Sequence, residues 1–381
     1  MDTETMIAKG NCERIGVDGK IGGSTADGRK FDYEVEFKNH TEAFLEVKKV
    51  LTEGDAKVID SLSEISAIGH RIVQGGALFN ESVLVTDEVI KGIESLCDLA
   101  PLHNPAHIQG INACIDVFGK DVPQVTVFDN SFHSTMPPEA YIFPIPYEYY
   151  EKYQVRRYGF HGTSHRFVSA RCAEVMGKDI KDLKIVTCHL GNGSSIAAVV
   201  DGKCFDTIMG VTPLEGIMMG TRCGSIDPAI VPIIMKKEGL TPDQMDAVMN
   251  KKSCMLGICG TSDNRTIESR AKEGDERAKL VESMLCHQLT KYIGSYAAAM
   301  GGVDAIVFTG GIGENNPQYR DRVCDKLKFM GVEIDYAVND QMRRGPEGEI
   351  STPNSKVKVY VVCTNEELMI ARDTKEIVEA L

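Results

Sequence analysis

One stretch, residues 184–200, limits the possible folds of this chain more than any other. Two apolar runs rich in β-branched residues flank the tripeptide Gly191-Asn192-Gly193. This arrangement predicts a β-hairpin, because Asn and Gly tolerate the φ > 0 that a primed turn requires. The turn also carries the imidazole of His189 and the hydroxyls of Ser194 and Ser195. Donors gathered on a tight turn favour an anion such as phosphate, although an ordinary polar hairpin explains the stretch equally well on its own.

Length and composition narrow the class of protein. The chain has 381 residues, which predicts two or three domains, and its formal net charge of −13 argues against a nucleic-acid partner. The 12 cysteines form no CxxC pair, so we expect reduced thiols and a cytoplasmic location. The acidic start lacks the pattern of a signal peptide, and no apolar run is long enough to span a bilayer, so we expect no membrane partner.

Strands alternate with helices in both halves of the chain, which predicts an α/β fold and hints at a duplicated one. Polar clusters follow four predicted strands, at Asp129, residues 189–195, residues 309–315 and residues 364–367. Ligands of open α/β sheets bind beyond the carboxyl ends of the strands, so these clusters predict one site for a phosphate-bearing ligand. The chain contains neither GxxxxGK[ST] nor GxGxxG, which disfavours P-loop kinases and dinucleotide enzymes.

Four side chains could supply the charges that phosphoryl transfer needs. Arg71 and Arg222 lie near glycines, where backbone can approach a ligand closely, and His161 and Glu366 add a donor and a metal ligand. Each also has a structural explanation: the arginines as ordinary ion pairs and His161 as a donor that braces a loop. Glu367 fits a helix capping box with Thr364, which leaves Glu366 as the better metal candidate.

Several motifs together resemble the acetate kinase family, in order and over essentially the whole chain. They are residues 70–76 (HRIVQGG), 100–105 (APLHNP), 128–129 (FD), 158–165 (YGFHGTSH), 188–195 (CHLGNGSS), 212–216 (TPLEG), 220–228 (GTRCGSIDP), 308–315 (FTGGIGEN) and 364–367 (TNEE). The resemblance implies two ribonuclease H-like domains of the sugar kinase, heat-shock chaperone and actin superfamily, with an interdomain nucleotide cleft. We expect the first domain at residues 1–130 plus 368–381 and the second at 131–367.

The implied reaction is reversible phosphoryl transfer from ATP to acetate, which gives acetyl phosphate and ADP in a homodimeric enzyme. By motif, Arg71 and Arg222 would flank the transferring group and His161 would hydrogen-bond it. Asp129 would orient Arg71 or the substrate, and Glu366 would position Mg²⁺, with Mn²⁺ as an alternative.

The same resemblance implies two binding sets. The expected nucleotide contacts are His189, Leu190, Gly191, Asn192, Gly193, Ser194, Asp263, Asn264, Arg265, Gly311, Ile312, Gly313, Glu314 and Asn315. The expected acetate contacts are Arg71, Val73, Leu102, His103, Phe160 and Pro213, which include a small apolar pocket for the methyl group. Such a pocket discriminates one methylene by only about 1–3 kcal/mol, so we expect propionate as a slower substrate.

The sequence departs from the family pattern in two places. Gln74 stands where the family has His, which predicts a tuned site. The family's opening strand and Asn-x-Gly-Ser-Ser-Ser loop have no counterpart before residues 11–16. The alternatives are therefore an active acetate kinase, a weakly active or inactive relative that retains nucleotide binding, a propionate-preferring kinase, and a non-catalytic ATP-dependent module of the chaperone or actin type.

Overall fold

The computed structural model describes residues 1, 3–101 and 103–381, which form two compact units. The first unit comprises Met1–Ser131 and Glu366–Leu381, and the second comprises Phe132–Asn365. These limits lie within two residues of the domain boundaries expected from the sequence. The identity of the domains themselves stays a prediction.

The first unit contains two small sheets within its described residues. The strands are β1 (Ala8–Glu13), β2 (Lys20–Thr25), β3 (Lys30–Glu34), β4 (Ile68–Ile72), β5 (Val83–Leu84) and β6 (Gln124–Phe128). β1, β2 and β3 form an antiparallel meander, whereas β6 pairs in parallel with β4 and antiparallel with β5. The parallel pairing brings the carboxyl ends of β4 and β6 to one edge, where the Asp129 N–H donates to the Ile72 carbonyl at 2.8 Å.

Helices pack around these strands. They are α1 (His40–Thr52), α2 (Asp87–Ser95), α3 (Asn104–Phe118) and, from the end of the chain, α15 (Glu366–Glu379). Asn39 caps α1, because its side chain accepts the Glu42 N–H at 3.0 Å. Ile72, Ile93, Ile111 and Phe128 form a buried core between the β4–β6 sheet and these helices.

All residues of the second unit are described, and six of its strands form one sheet. The strands are β7 (Lys184–Leu190), β8 (Ser194–Val200), β9 (Lys203–Thr207), β10 (Ala305–Thr309), β11 (Gly348–Glu349) and β12 (Lys358–Val361), and they lie in the order β11-β12-β10-β7-β8-β9. β7, β8 and β9 are antiparallel neighbours, and β10 pairs in parallel with both β7 and β12. The predicted hairpin is therefore confirmed at the centre of this sheet.

Eleven α-helices surround that sheet in the fully described second unit. They are α4 (Pro138–Tyr141), α5 (Glu148–Tyr153), α6 (Gly162–Met176), α7 (Ile230–Glu238), α8 (Pro242–Lys251), α9 (Cys254–Cys259), α10 (Asn264–Lys272), α11 (Glu276–Ala299), α12 (Gly310–Asn315), α13 (Pro317–Lys326) and α14 (Tyr336–Gln341). Val186, Cys188 and Leu190 of β7 point into one buried core and Ile185 into another, so both faces of the strand are covered.

The polar cluster at residues 309–315, which follows a predicted strand, forms the short helix α12 from Gly310 onwards. A capping box begins α8, since Thr241 and Gln244 exchange side-chain and backbone hydrogen bonds. Among the described residues, no helix combines the length and hydrophobicity that crossing a membrane requires.

Candidate active site

An arginine–carboxylate pair lies at the carboxyl ends of β4 and β6. Arg71 Nε donates to Asp129 Oδ1 at 2.9 Å and Arg71 Nη2 donates to Asp129 Oδ2 at 2.6 Å, which is a bidentate pair. Asp129 is 1% exposed, whereas 43% of the Arg71 side chain is exposed. The Coulombic attraction of Asp129 raises the pKa of Arg71. The pair therefore fixes a permanent cation with part of its guanidinium accessible to a ligand.

Glu366 begins α15 beside this pair, with its Oε2 at 4.0 Å from Arg71 Nε. Burial, followed by the charge of Asp129, raises the pKa of Glu366 to about 7. Because this pKa lies close to neutral pH, a nearby cation would stabilise the ionised form of Glu366. Among residues 1, 3–101 and 103–381, no group of three or more His, Cys, Asp or Glu side chains is arranged to hold a metal ion. The Glu366 carboxylate is nevertheless the type of ligand that a divalent metal such as Mg²⁺ takes, with phosphates and water completing the shell.

Histidines surround the same pair. His70 Nε2 lies 2.6 Å from Gln124 Oε1, and His103 immediately precedes α3. One turn into α3, His107 has a buried Nε2 without a hydrogen-bond partner among the described residues. Burial, opposed by Asp129 and reinforced by Arg71, lowers the pKa of His107 to about 4, so this imidazole is neutral at pH 7.

The hairpin tip in the second unit differs from the primed turn predicted. Leu190 pairs with Ser194, so three residues connect the strands, and none of the three has φ > 0. The Ser194 hydroxyl accepts the Gly191 N–H at 3.2 Å and donates to the Gly191 carbonyl at 3.1 Å. Ser195 Oγ bonds His165 Nε2 at 3.1 Å. Both hydroxyls therefore brace the hairpin.

His161 and Arg222 converge on this tip. A Cβ placed on Gly193 would lie 3.3 Å from Arg222 Nη2 and 3.3 Å from His161 Cε1, so a side chain here would crowd both groups. The rings of His161 and His189 stack at 4.5 Å between centroids. Arg222 is held by its Nη1, which donates to the Pro213 carbonyl at 2.8 Å. The structure thus brings a guanidinium and two imidazoles to the hairpin tip, the turn whose donors favour an anion such as phosphate.

His161 reaches this position because it immediately precedes α6 with a left-handed φ of 56°. Ser164 lies in the first turn of the helix, where its hydroxyl bonds His189 Nδ1 at 2.8 Å and the Thr364 hydroxyl at 2.7 Å. Ser164 therefore orients the His189 ring from behind.

A cavity of about 730 Å³ opens beside the hairpin tip within the second unit. It brings together most of the expected nucleotide contacts with residues that the sequence did not indicate. Its lining comprises Gly191, Asn192, Gly220, Met255, Ser262, Asp263, Asn264, Arg265, Glu268, Gly311, Ile312, Asn315, Asn316, Arg343 and Arg344. Its size and its polar lining suit a nucleotide.

Six expected nucleotide contacts do not line the cavity. His189 and Gly193 belong to the hairpin itself, Leu190 and Gly313 are buried, and Ser194 braces the turn. Glu314 Oε1 accepts the Gly310 N–H at 2.9 Å and the Thr364 N–H at 3.2 Å, so it ties α12 to the loop after β12. Leu190, Gly313, Ser194 and Glu314 therefore have structural roles behind the cavity wall.

The expected acetate contacts are divided between the units. Val73 belongs to the first unit, Phe160 and Pro213 belong to the second, and Leu102 lies outside the described residues. Gln74, the departure from the family pattern, is buried and its Oε1 accepts the Gly76 N–H at 2.9 Å. It therefore braces the turn that follows Arg71.

Comparisons with known proteins bear on this arrangement. The model of the Acetokinase family matches residues 1–372. Acetate kinase from Thermotoga maritima is 54% identical, over 100% of this chain and 95% of its own length. The crystal structure of Porphyromonas gingivalis acetate kinase superposes with a TM-score of 0.93 at 46% identity, covering 98% of this chain and 93% of that one. A propionate kinase from Francisella tularensis gives 0.92 at 40% identity, with coverages of 99% and 94%.

This chain belongs to the acetokinase family. The family and the α/β fold of the sugar kinase and actin superfamily that the sequence predicts are confirmed. The chain is therefore a phosphotransferase with a carboxylate acceptor, and the family uses ATP, generally with a divalent metal. The hypothesis of a non-catalytic chaperone-like or actin-like module is wrong.

Sequence reasoning missed His107 near Arg71 and Glu268, Asn316 and Arg343 in the cavity. Glu268 lies four residues after Asn264 on α10, so helical spacing could have placed both on one face. No local signal marks Arg343, because only the tertiary fold brings it to the cavity.

Proposed function

We propose that this chain catalyses the reversible transfer of a phosphoryl group from ATP to acetate, giving acetyl phosphate and ADP. The observation that supports it best is the Arg71–Asp129 pair, a fixed guanidinium that is partly open to a ligand. Phosphoryl transfer depends on such preorganised positive charge far more than on covalent catalysis.

In the first unit, Arg71 binds the acetate carboxylate or the phosphoryl group of acetyl phosphate, and Asp129 fixes the orientation of Arg71. His103, at the start of α3, supports the bound acetate. Glu366 would hold Mg²⁺, or Mn²⁺ in its place, and the cation would supply charge neutralisation on the nucleotide phosphates.

In the second unit, Arg222 and His161 donate to the equatorial oxygens of the transferring group. The hairpin tip with His189, Gly191, Asn192 and Gly193 contacts nucleotide phosphate. The cavity holds the rest of ATP through Asp263, Asn264, Arg265, Gly311, Ile312 and Asn315. Leu190, Ser194, Gly313 and Glu314 act behind this surface by shaping it.

The acyl pocket is proposed from Val73, Leu102, Phe160 and Pro213. Propionate is the natural competitor, because one methylene changes binding in an apolar pocket by only about 1–3 kcal/mol. We therefore propose acetate as the preferred acceptor and propionate as a slower one.

The test is acyl phosphate formation by the purified chain, trapped as hydroxamate, with acetate, propionate and butyrate as acceptors and Mg²⁺-ATP as donor. We expect the highest kcat/KM with acetate. Asp129→Asn should lower kcat/KM by at least about 100-fold because it releases Arg71, whereas the exposed Asp116→Asn should match the wild type. No acyl phosphate with any acceptor would contradict the proposal.

We also propose a homodimer in a reducing compartment such as the cytoplasm, without nucleic-acid or membrane partners. All 12 cysteines are described and carry free thiols, which supports the compartment. The apolar helix α7 supports the dimer: Ile230 and Ile233 are 40% and 49% exposed, and none of its described residues is buried.

A further inference from the structure

Glu268 is the acidic side chain that the nucleotide cavity contains in addition to Asp263. It lies on α10, one turn after Asn264, and its Oε1 accepts the Asn264 amide N–H at 2.8 Å and a second, short hydrogen bond from the Asn316 amide. Both acceptor directions of Oε1 are therefore used.

Tyr319 fixes the orientation of the Asn316 amide and also contacts Asn264. Its backbone N–H donates to Asn316 Oδ1 at 3.0 Å, and a backbone N–H can only donate, so the Asn316 NH₂ group must face Glu268. The Tyr319 hydroxyl donates to Asn264 Oδ1 at 3.0 Å. Asn316 and Tyr319 are 3% and 2% exposed, so the network is anchored in the core. Its geometry is preorganised before any ligand binds.

Glu268 Oε2 has no hydrogen-bond donor among the described residues, and the side chain is only partly buried at the cavity wall. A carboxylate oxygen in this position repels phosphate and accepts from a neutral N–H or O–H group. Under the proposed function, the hairpin tip with Gly191 and Asn192, which lines the same cavity, contacts the nucleotide phosphates. The nucleoside half of the ligand would then face Glu268.

We propose that Glu268 is a specificity-determining residue that reads one hydrogen-bond donor of the nucleoside, either the exocyclic amine of the base or a ribose hydroxyl. The inference rests on the proposed function, because it assumes that the cavity binds the nucleotide substrate. A single available oxygen accepts one donor. It does not provide the two-oxygen contact that the adjacent N–H groups of guanine would require.

Glu268→Gln tests this directly because it is isosteric. Asn264 and Asn316 both donate to this residue, so the glutamine oxygen must face them and its NH₂ group must face the cavity. The substitution thus keeps the network and replaces the acceptor by a donor. The matched control is Glu276→Gln, an 85% exposed carboxylate on α11.

The measurement is calorimetric binding of ATP, purine riboside triphosphate, 2′-deoxy-ATP and 3′-deoxy-ATP, together with steady-state kinetics. For Glu268→Gln we expect the Kd and KM of ATP to rise about tenfold or more, with kcat and the KM of acetate within about twofold. The analogue that lacks the donor should bind wild type and variant equally well, which identifies the amine or the hydroxyl. Thermal unfolding of the variant should match the control.

Two results would overturn the inference: an unchanged ATP affinity, or an equal loss of affinity for ATP and all three analogues. If Glu268→Gln fails to fold, Glu268→Asp replaces it as the test, because the shorter carboxylate withdraws from the cavity. A normal ATP affinity of Glu268→Asp would then also overturn the inference. Binding is measured without acetate. A wild type that binds ATP but forms no acyl phosphate therefore contradicts the proposed function alone.

Discussion

At the scale of single residues, Arg222 offers the sharpest test of the second unit. Arg222→Ala should lower kcat by about 10³-fold or more, since an arginine that stabilises the transferring phosphoryl group contributes that much. ATP affinity should stay within about threefold, because Arg222 does not line the cavity. Stopped assays and calorimetry measure the two quantities. The exposed Arg277→Ala is the control, and an unchanged kcat for Arg222→Ala would remove Arg222 from the reaction.

The lowered pKa of His107 predicts that the free energy of unfolding depends on pH. Its folded pKa of about 4 lies below the ordinary 6.5, so the folded state favours the neutral ring. This contribution is complete above pH 7 and is lost as the pH falls from about 6.5 towards 4, by up to about 3 kcal/mol. Urea unfolding at pH 7.5 and pH 5.0 measures it.

The comparison variant is His107→Gln, which cannot titrate. Its free energy of unfolding should fall less between the two pH values, by about 2 kcal/mol, than that of the wild type. Other histidines whose pKa values are lowered by burial, such as His70 and His165, contribute to the remaining pH dependence. Identical pH dependence in both proteins would show that His107 titrates normally.

At the scale of elements, the close approach of Arg222 and His161 to the hairpin depends on Gly193, which has no side chain. In Gly193→Ala the new methyl group would press on Arg222 and His161 at 3.3 Å, and both must move by a few tenths of an ångström. We expect kcat to fall about tenfold with unchanged stability, because catalysis is sensitive to small displacements. Gly294→Ala on α11, where nothing lies within 4 Å, should keep full activity. Equal kcat values for the two variants would contradict a close approach.

Sequence patterns predicted the elements of the site better than their local conformations. The hairpin follows from two apolar runs around an Asn-Gly pair, but its backbone angles depend on packing against Arg222 and Gly220, which are distant in sequence. Helix α12 was missed because Gly310, Gly311 and Gly313 have low helix propensity. Packing overrides that propensity: a Cβ on Gly310 would lie 2.7 Å from the Leu190 carbonyl oxygen. Family motifs supplied the charged residues, whereas Glu268 and His107 required the fold.

At the scale of the whole molecule, the proposed dimer can be separated from catalysis. Ile233→Glu places a charge on the exposed apolar face of α7, and a buried unpaired charge should raise the dimer Kd by at least about 100-fold. Light scattering after size exclusion at micromolar concentration should then give half the wild-type mass. Leu280→Glu is the matched control, because Leu280 is 50% exposed on α11 and should leave the mass unchanged. A dimer that survives Ile233→Glu would show that the subunits associate through another surface, whereas dissociation with preserved ATP binding would place α7 in the interface.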